Sequence, residues 1–115
     1  MEERAQSAQR PDVPGRIDKP MAETAVAAFL SALEEEGREP DAWESWQVLN
    51  ALRALRQRKY FTTAYYIGAA SLREDARRRL GMAGPPAGTC TVELAMLSEM
   101  FEEICAEEPW AMAVH

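Results

Sequence analysis

Residues 43–80, WESWQVLNALRALRQRKYFTTAYYIGAASLREDARRRL, decide the fold. They contain no proline, one glycine (Gly68), two of the three tryptophans and eight of the thirteen basic residues. Trp43, Trp46, Leu49, Leu52 and Leu55 recur every three residues, with Val48 widening the stripe, which is the pattern of a helix burying one side. Asp41 followed by Glu44 resembles a capping box with Asp in place of Ser or Thr, so the helix is expected to start at about residue 42. The polar run Arg56-Gln57-Arg58-Lys59, followed by the mediocre helix formers Tyr60 to Thr63, places a break at 58–60. The stretch is therefore expected to be a helical hairpin, roughly 42–58 and 60–80, with one long helix over 42–80 as the competing arrangement. On its second arm Phe61, Tyr65, Gly68, Leu72, Ala76 and Leu80 are expected to face the core, with Gly68 letting another helix approach closely.

The hairpin's neighbours read as helices too. Pro20 suits a first helical turn, Ala22, Ala25, Val26, Phe29, Leu30 and Leu33 form an apolar stripe, and Gly37 ends the helix. Glu34, Glu35 and Glu36 lie against the macrodipole at that end, a placement that a basic partner would stabilise. Gly81 to Gly88, with Pro85-Pro86, is a linker. It lacks the Gly-Lys-Ser/Thr ending of a phosphate loop. A last helix, capped by Thr89 or Thr91, is expected to run to about Glu107, with Leu94, Leu97, Phe101 and Ile104 inward. Alanine, leucine, arginine and glutamate are abundant and β-branched residues scarce, so no sheet is expected. The expectation is an all-α bundle of about four helices: a disordered arm at 1–20, a helical domain at 21–108, and an apolar tail at 109–115 that contains Trp110.

The net charge of −6 conceals a segregation. Residues 1–45 carry eleven acids and five bases, residues 46–80 two acids and eight bases, and residues 81–115 six acids and no base. An acidic average argues against general attraction to nucleic acid or anionic membranes. The basic middle is the exception. Tyr66, Arg73 and Arg77, at i, i+7 and i+11 of a continuous helix, would project together, with Lys59 and Arg78 at the edges. Guanidinium groups there would take carboxylates or phosphates through forked hydrogen bonds.

No catalytic constellation emerges. The single histidine is His115, adjacent acid pairs such as Glu102 and Glu103 point about 100° apart on a helix, and no metal-ligand spacing is present. Cys90 and Cys105, if on one helix, would be about 22 Å apart, too far for a disulfide. No apolar run approaches the ~20 residues that span a bilayer. Reduced cysteines and the lack of a secretory leader point to a cytoplasmic protein, and the alanine- and arginine-rich composition to a bacterial one.

The function expected is a non-catalytic, cofactor-free, protein-binding module: an adaptor, chaperone or inhibitor whose partner has an acidic surface. Lys59, Tyr66, Arg73, Arg77 and Trp110 are its candidate contacts. One alternative is a nucleic-acid-binding regulator using the basic hairpin. Another is a small-molecule binder or enzyme with a pocket at Trp43 and Trp46.

Overall fold

The computed structural model describes residues 16–107, and the chain over that range is an all-α bundle. Helix α1 spans Lys19–Glu36, α2 Ala42–Arg56, α3 Tyr60–Ala70, α4 Glu74–Arg79 and α5 Leu94–Ala106. No strand occurs among the described residues. The arm expected at 1–20 meets the fold at its end: Ile17 packs against the core, and α1 has begun by Lys19. Residues 1–15 and the tail segment 108–115, including Trp110, lie outside the described residues.

The start of α1 follows from Asp18, whose side chain accepts from the Met21 N–H at 3.1 Å, and from Pro20 in the first turn. Its end follows from Gly37, at φ 65° and ψ 35°. That left-handed turn lets Gly37 N–H donate to Glu34 O and Arg38 N–H to Leu33 O, satisfying two carbonyls that the helix itself cannot. Between the two ends Ala22, Val26, Leu30 and Leu33 are buried.

Helix α2 is the centre of the bundle. It packs against α1, α3 and α5, and nine of its fifteen residues are buried. Its capping box is complete: Glu44 N–H donates to Asp41 Oδ1 at 2.8 Å, and Asp41 N–H to Glu44 Oε1 at 3.0 Å. The break expected at 58–60 is present, with α2 ending at Arg56, two residues early. Arg58 takes the left-handed conformation (φ 62°) in the place that Gly37 holds after α1. The same pair of bonds forms there, from Arg58 N–H to Leu55 O and from Lys59 N–H to Ala54 O.

The second arm of the hairpin is two helices, α3 and α4, rather than the single helix 60–80. The cause lies on α2. The indole Nε1 of Trp43 donates to Ala69 O at 2.9 Å inside the protein, and Leu72 N–H reaches the same carbonyl at 3.1 Å. In a continuous helix that oxygen would accept from residue 73. With the Ala69 carbonyl so engaged, Arg73 is extended (φ −81°, ψ 166°) and begins α4.

The buried side of α3 also differs from the one expected. Thr63, Ile67, Ala69 and Ala70 face in, while Phe61, Tyr65 and Gly68 are exposed. Residues 60–70 contain no charge, so their hydropathy marks no outward side. Tertiary packing makes the choice, and Thr63 is tolerated in the core because its hydroxyl donates to Lys59 O at 2.8 Å.

The linker is pinned where Val92 N–H donates to the buried Ser45 Oγ at 2.9 Å. Helix α5 is not capped by Thr89 or Thr91. Thr89 donates its hydroxyl to Pro86 O within the linker, and α5 begins at Leu94, whose N–H donates to Glu39 Oε1 at 2.7 Å. Leu97 and Ile104 are buried, and Leu94, Met100 and Phe101 pack against the same core. Cys90 precedes α5 and Cys105 lies on it, and no disulfide joins them.

Candidate functional site

The end of α1, the start of α2 and the corner between α3 and α4 enclose a cleft of about 810 Å³. Its floor is built on Glu44. Because the capping box uses that carboxylate at the N-terminus of α2, the group is drawn inward, and Glu44 is 8% exposed. Arg38, on the connection out of α1, closes a two-pronged pair with it, Nη1 to Oε1 at 2.9 Å and Nη2 to Oε2 at 2.7 Å. The same guanidinium donates through Nε to Glu36 at 2.7 Å, which supplies the basic partner that the acidic end of α1 calls for.

These contacts move both groups in the direction that keeps them charged. Arg38's bonds lower the Glu44 carboxyl below the ordinary range, against the opposing effect of burial, with the Asp41 N–H and the charge of Arg77 contributing. Arg38 is raised in turn, chiefly by Glu44 and then by Glu36. A carboxylate held this firmly is a weak base, so Glu44 suits structure better than proton transfer.

The wall of the cleft is Trp43 with Arg77 on it. The Arg77 guanidinium carbon lies 4.4 Å from the centroid of the Trp43 ring, a cation–π contact. Arg77 Nε is buried and has no hydrogen-bond partner. Trp46 meets Trp43 edge-on, at 5.6 Å between centroids and 69° between planes. Trp43 itself is 3% exposed. Arg77 takes the position that a flat ligand stacked on Trp43 would need. Arg73 is exposed at the corner, with no ion-pair partner among the described residues. Arg78 and Arg79 meet Glu74 at 3.6 Å and Asp75 at 3.7 Å along α4.

The predicted contact face is thus divided. Arg73 and Arg77 come together at the cleft, with Arg78 beside them. Lys59 is at the other end of α3, about 16 Å away along an eleven-residue helix. Tyr66 turns toward the core, edge-on to Tyr65 at 5.5 Å. The break after Ala70 destroys the i, i+7, i+11 register that would have aligned them. Sequence reasoning passed over Arg38 and Glu44 as a pair. Its available signal was that a capping-box Glu uses one carboxylate oxygen and leaves the other for a nearby cation. Glu36, Asp41, Glu44, Glu74 and Asp75 also line the cleft, so it carries mixed charge rather than a purely basic surface.

A shallower, mainly apolar groove of about 510 Å³ adjoins the corner, lined by Ala64, Tyr65, Gly68, Leu72, Leu80 and Met82. Leu72 borders both depressions. Among the described residues no three His, Cys, Asp or Glu side chains are grouped to hold a metal, and no helix is long and apolar enough to cross a membrane. Comparison with family models, with curated proteins and with solved structures finds no match.

Proposed function

We propose that this chain is a non-catalytic protein-binding module, of the adaptor, chaperone or inhibitor kind, whose α3–α4 corner receives a carboxylate of an acidic partner. The observation that carries the reading is the pair Arg73 and Arg77. The first projects without an ion-pair partner among the described residues, and the second is braced against Trp43 at the edge of a cleft. A guanidinium held on an aromatic ring loses little side-chain freedom on binding and keeps its outer nitrogens for a forked contact. Acids already lining the cleft would repel a phosphate backbone running across it and leave room for isolated carboxylates. That difference favours a protein over nucleic acid.

The experiment is a comparison of wild type with R73E and R77K. Proteins retained from the native host by the wild-type chain are identified by mass spectrometry and titrated against all three. R73E is expected to weaken the specific partner at least tenfold, and R77K, which keeps the charge but loses the fork, severalfold. Unchanged affinity for every retained protein in both variants would overturn the proposal. Retention of DNA or RNA with a steep fall in affinity as salt rises would favour nucleic acid instead.

A further inference from the structure

The outer side of α3 is apolar, exposed and continuous. Phe61 is 57% exposed and Tyr65 55%, and Leu80, which follows α4, is 66% exposed. Phe61, Tyr65 and Gly68 follow one another at i, i+4 and i+7 of α3, a stripe about 10 Å long, and Leu72, just beyond the end of the helix, lines with Leu80 and Met82 the groove into which it leads.

Gly68 stands at the end of that stripe, and nothing in the fold accounts for it. It lies inside a helix with no left-handed backbone angle, and a Cβ added there would meet no atom within 4 Å. Glycine weakens an exposed helix interior relative to alanine. A residue that the fold neither requires nor profits from is explained by a close approach from outside. A helix laid across Gly68 could press a bulky side chain against the α3 backbone.

Charge decides what kind of helix fits. Helix α3 carries no charge of its own, yet Arg58 and Lys59 precede it and Arg73 follows it, all exposed and with no ion-pair partner among the described residues. A second copy docking antiparallel by the same face would bring Arg58 and Lys59 toward Arg73 of its mate, like charge against like. An acidic helix meets both ends favourably.

We propose that the outer face of α3 docks an amphipathic helix of a partner protein, its apolar stripe seated over Gly68 between Tyr65, Leu72 and Leu80 and its acidic ends meeting Lys59 and Arg73. This rests on the protein-binding reading above and adds the shape of the partner's contact element.

The probe is a synthetic helix-forming peptide of about sixteen residues, with leucines recurring at i, i+3, i+4 and i+7 and glutamates at both ends. It is titrated into the isotope-labelled full chain and followed by amide shifts. Saturable shifts centred on Tyr65, Gly68 and Leu72 are expected. G68A should keep or raise thermal stability while weakening the peptide severalfold, and G68L should weaken it at least about tenfold with the fold intact. A peptide with lysines at its ends should also bind at least about tenfold more weakly.

Shifts that map elsewhere, no saturable binding at millimolar peptide, or equal affinity for G68L would overturn the helix-docking proposal. If R73E abolishes binding while G68L does not, the carboxylate-receiving corner stands and the groove falls. If sedimentation of the chain alone gives a concentration-dependent dimer with shifts at the same residues, a second copy is the occupant and this proposal is wrong.

Discussion

Glu44 shows how one side chain holds several elements. Its carboxylate accepts from Arg38 through both oxygens and from the Asp41 N–H, so the cap of α2 and the connection leaving α1 share a single group. Arg38→Ala would leave that buried carboxylate with the cap bond alone. Because Arg38 is itself 45% exposed, the full penalty of breaking a buried pair does not apply, and a loss of about 1–3 kcal/mol by urea denaturation at pH 7 is expected. The pH dependence has a definite sign. The Glu44 pKa is depressed in the folded state, so its contribution is complete above the unfolded carboxylate value of about 4.3 and is lost as pH falls through the folded value. Wild type should therefore converge on the Arg38→Ala variant in acid. Equal stability gaps at pH 7 and pH 3 would contradict this account.

At the scale of elements, α1, α2 and α4 all end in a left-handed residue, at Gly37, Arg58 and Gly81. Only Arg58 is not glycine, and a left-handed residue with a Cβ is strained by about 1–2 kcal/mol. Arg58→Gly should raise stability by roughly 0.5–1 kcal/mol, part of the relief being offset by the greater freedom of glycine in the unfolded chain. A chemical denaturation midpoint that falls instead would place a contact of the Arg58 side chain above this backbone strain.

The elements legible in the sequence were those whose determinants are local. Asp18, Pro20 and Gly37 bound α1 from within a few residues of its ends, and Asp41 with Glu44 starts α2 in the same way. What escaped has determinants far along the chain. The break between α3 and α4 depends on Trp43, twenty-six residues from Ala69, and the start of α5 depends on Glu39, fifty-five residues from Leu94. The inward side of α3 could not be read because an uncharged helix is ambiguous about its faces. The candidate site fared accordingly: Arg73 and Arg77 were visible as cations, while their separation from Lys59 and Tyr66 followed from the unseen break.

At the scale of the whole fold, few ion pairs among the described residues join the acidic ends to the basic middle. Among the described residues one ion pair links them, Arg56 to Glu107 at 3.4 Å, with both side chains more than half exposed. The other pairs are local, Arg38 with Glu36 and Glu44, and the two along α4. Raising sodium chloride from about 0.05 to 0.5 M should therefore change unfolding free energy by less than about 1 kcal/mol, since exposed pairs are weak and readily screened. A larger loss would mean that the segregation serves the fold. A small one leaves the charges available to a partner.

Trp43 has a practical consequence. Its indole N–H is tied to the Ala69 carbonyl, one face of its ring supports Arg77, and it meets Trp46 in a T-shaped contact. The fluorescence of that ring depends on the charge above it and on the dipole at its nitrogen. A carboxylate that draws Arg77 away, or a helix that shifts the α3–α4 corner, changes one or the other. The fold thus contains its own optical reporter, and with Trp46 and Trp110 replaced by phenylalanine, binding at the corner could be followed in the unlabelled protein.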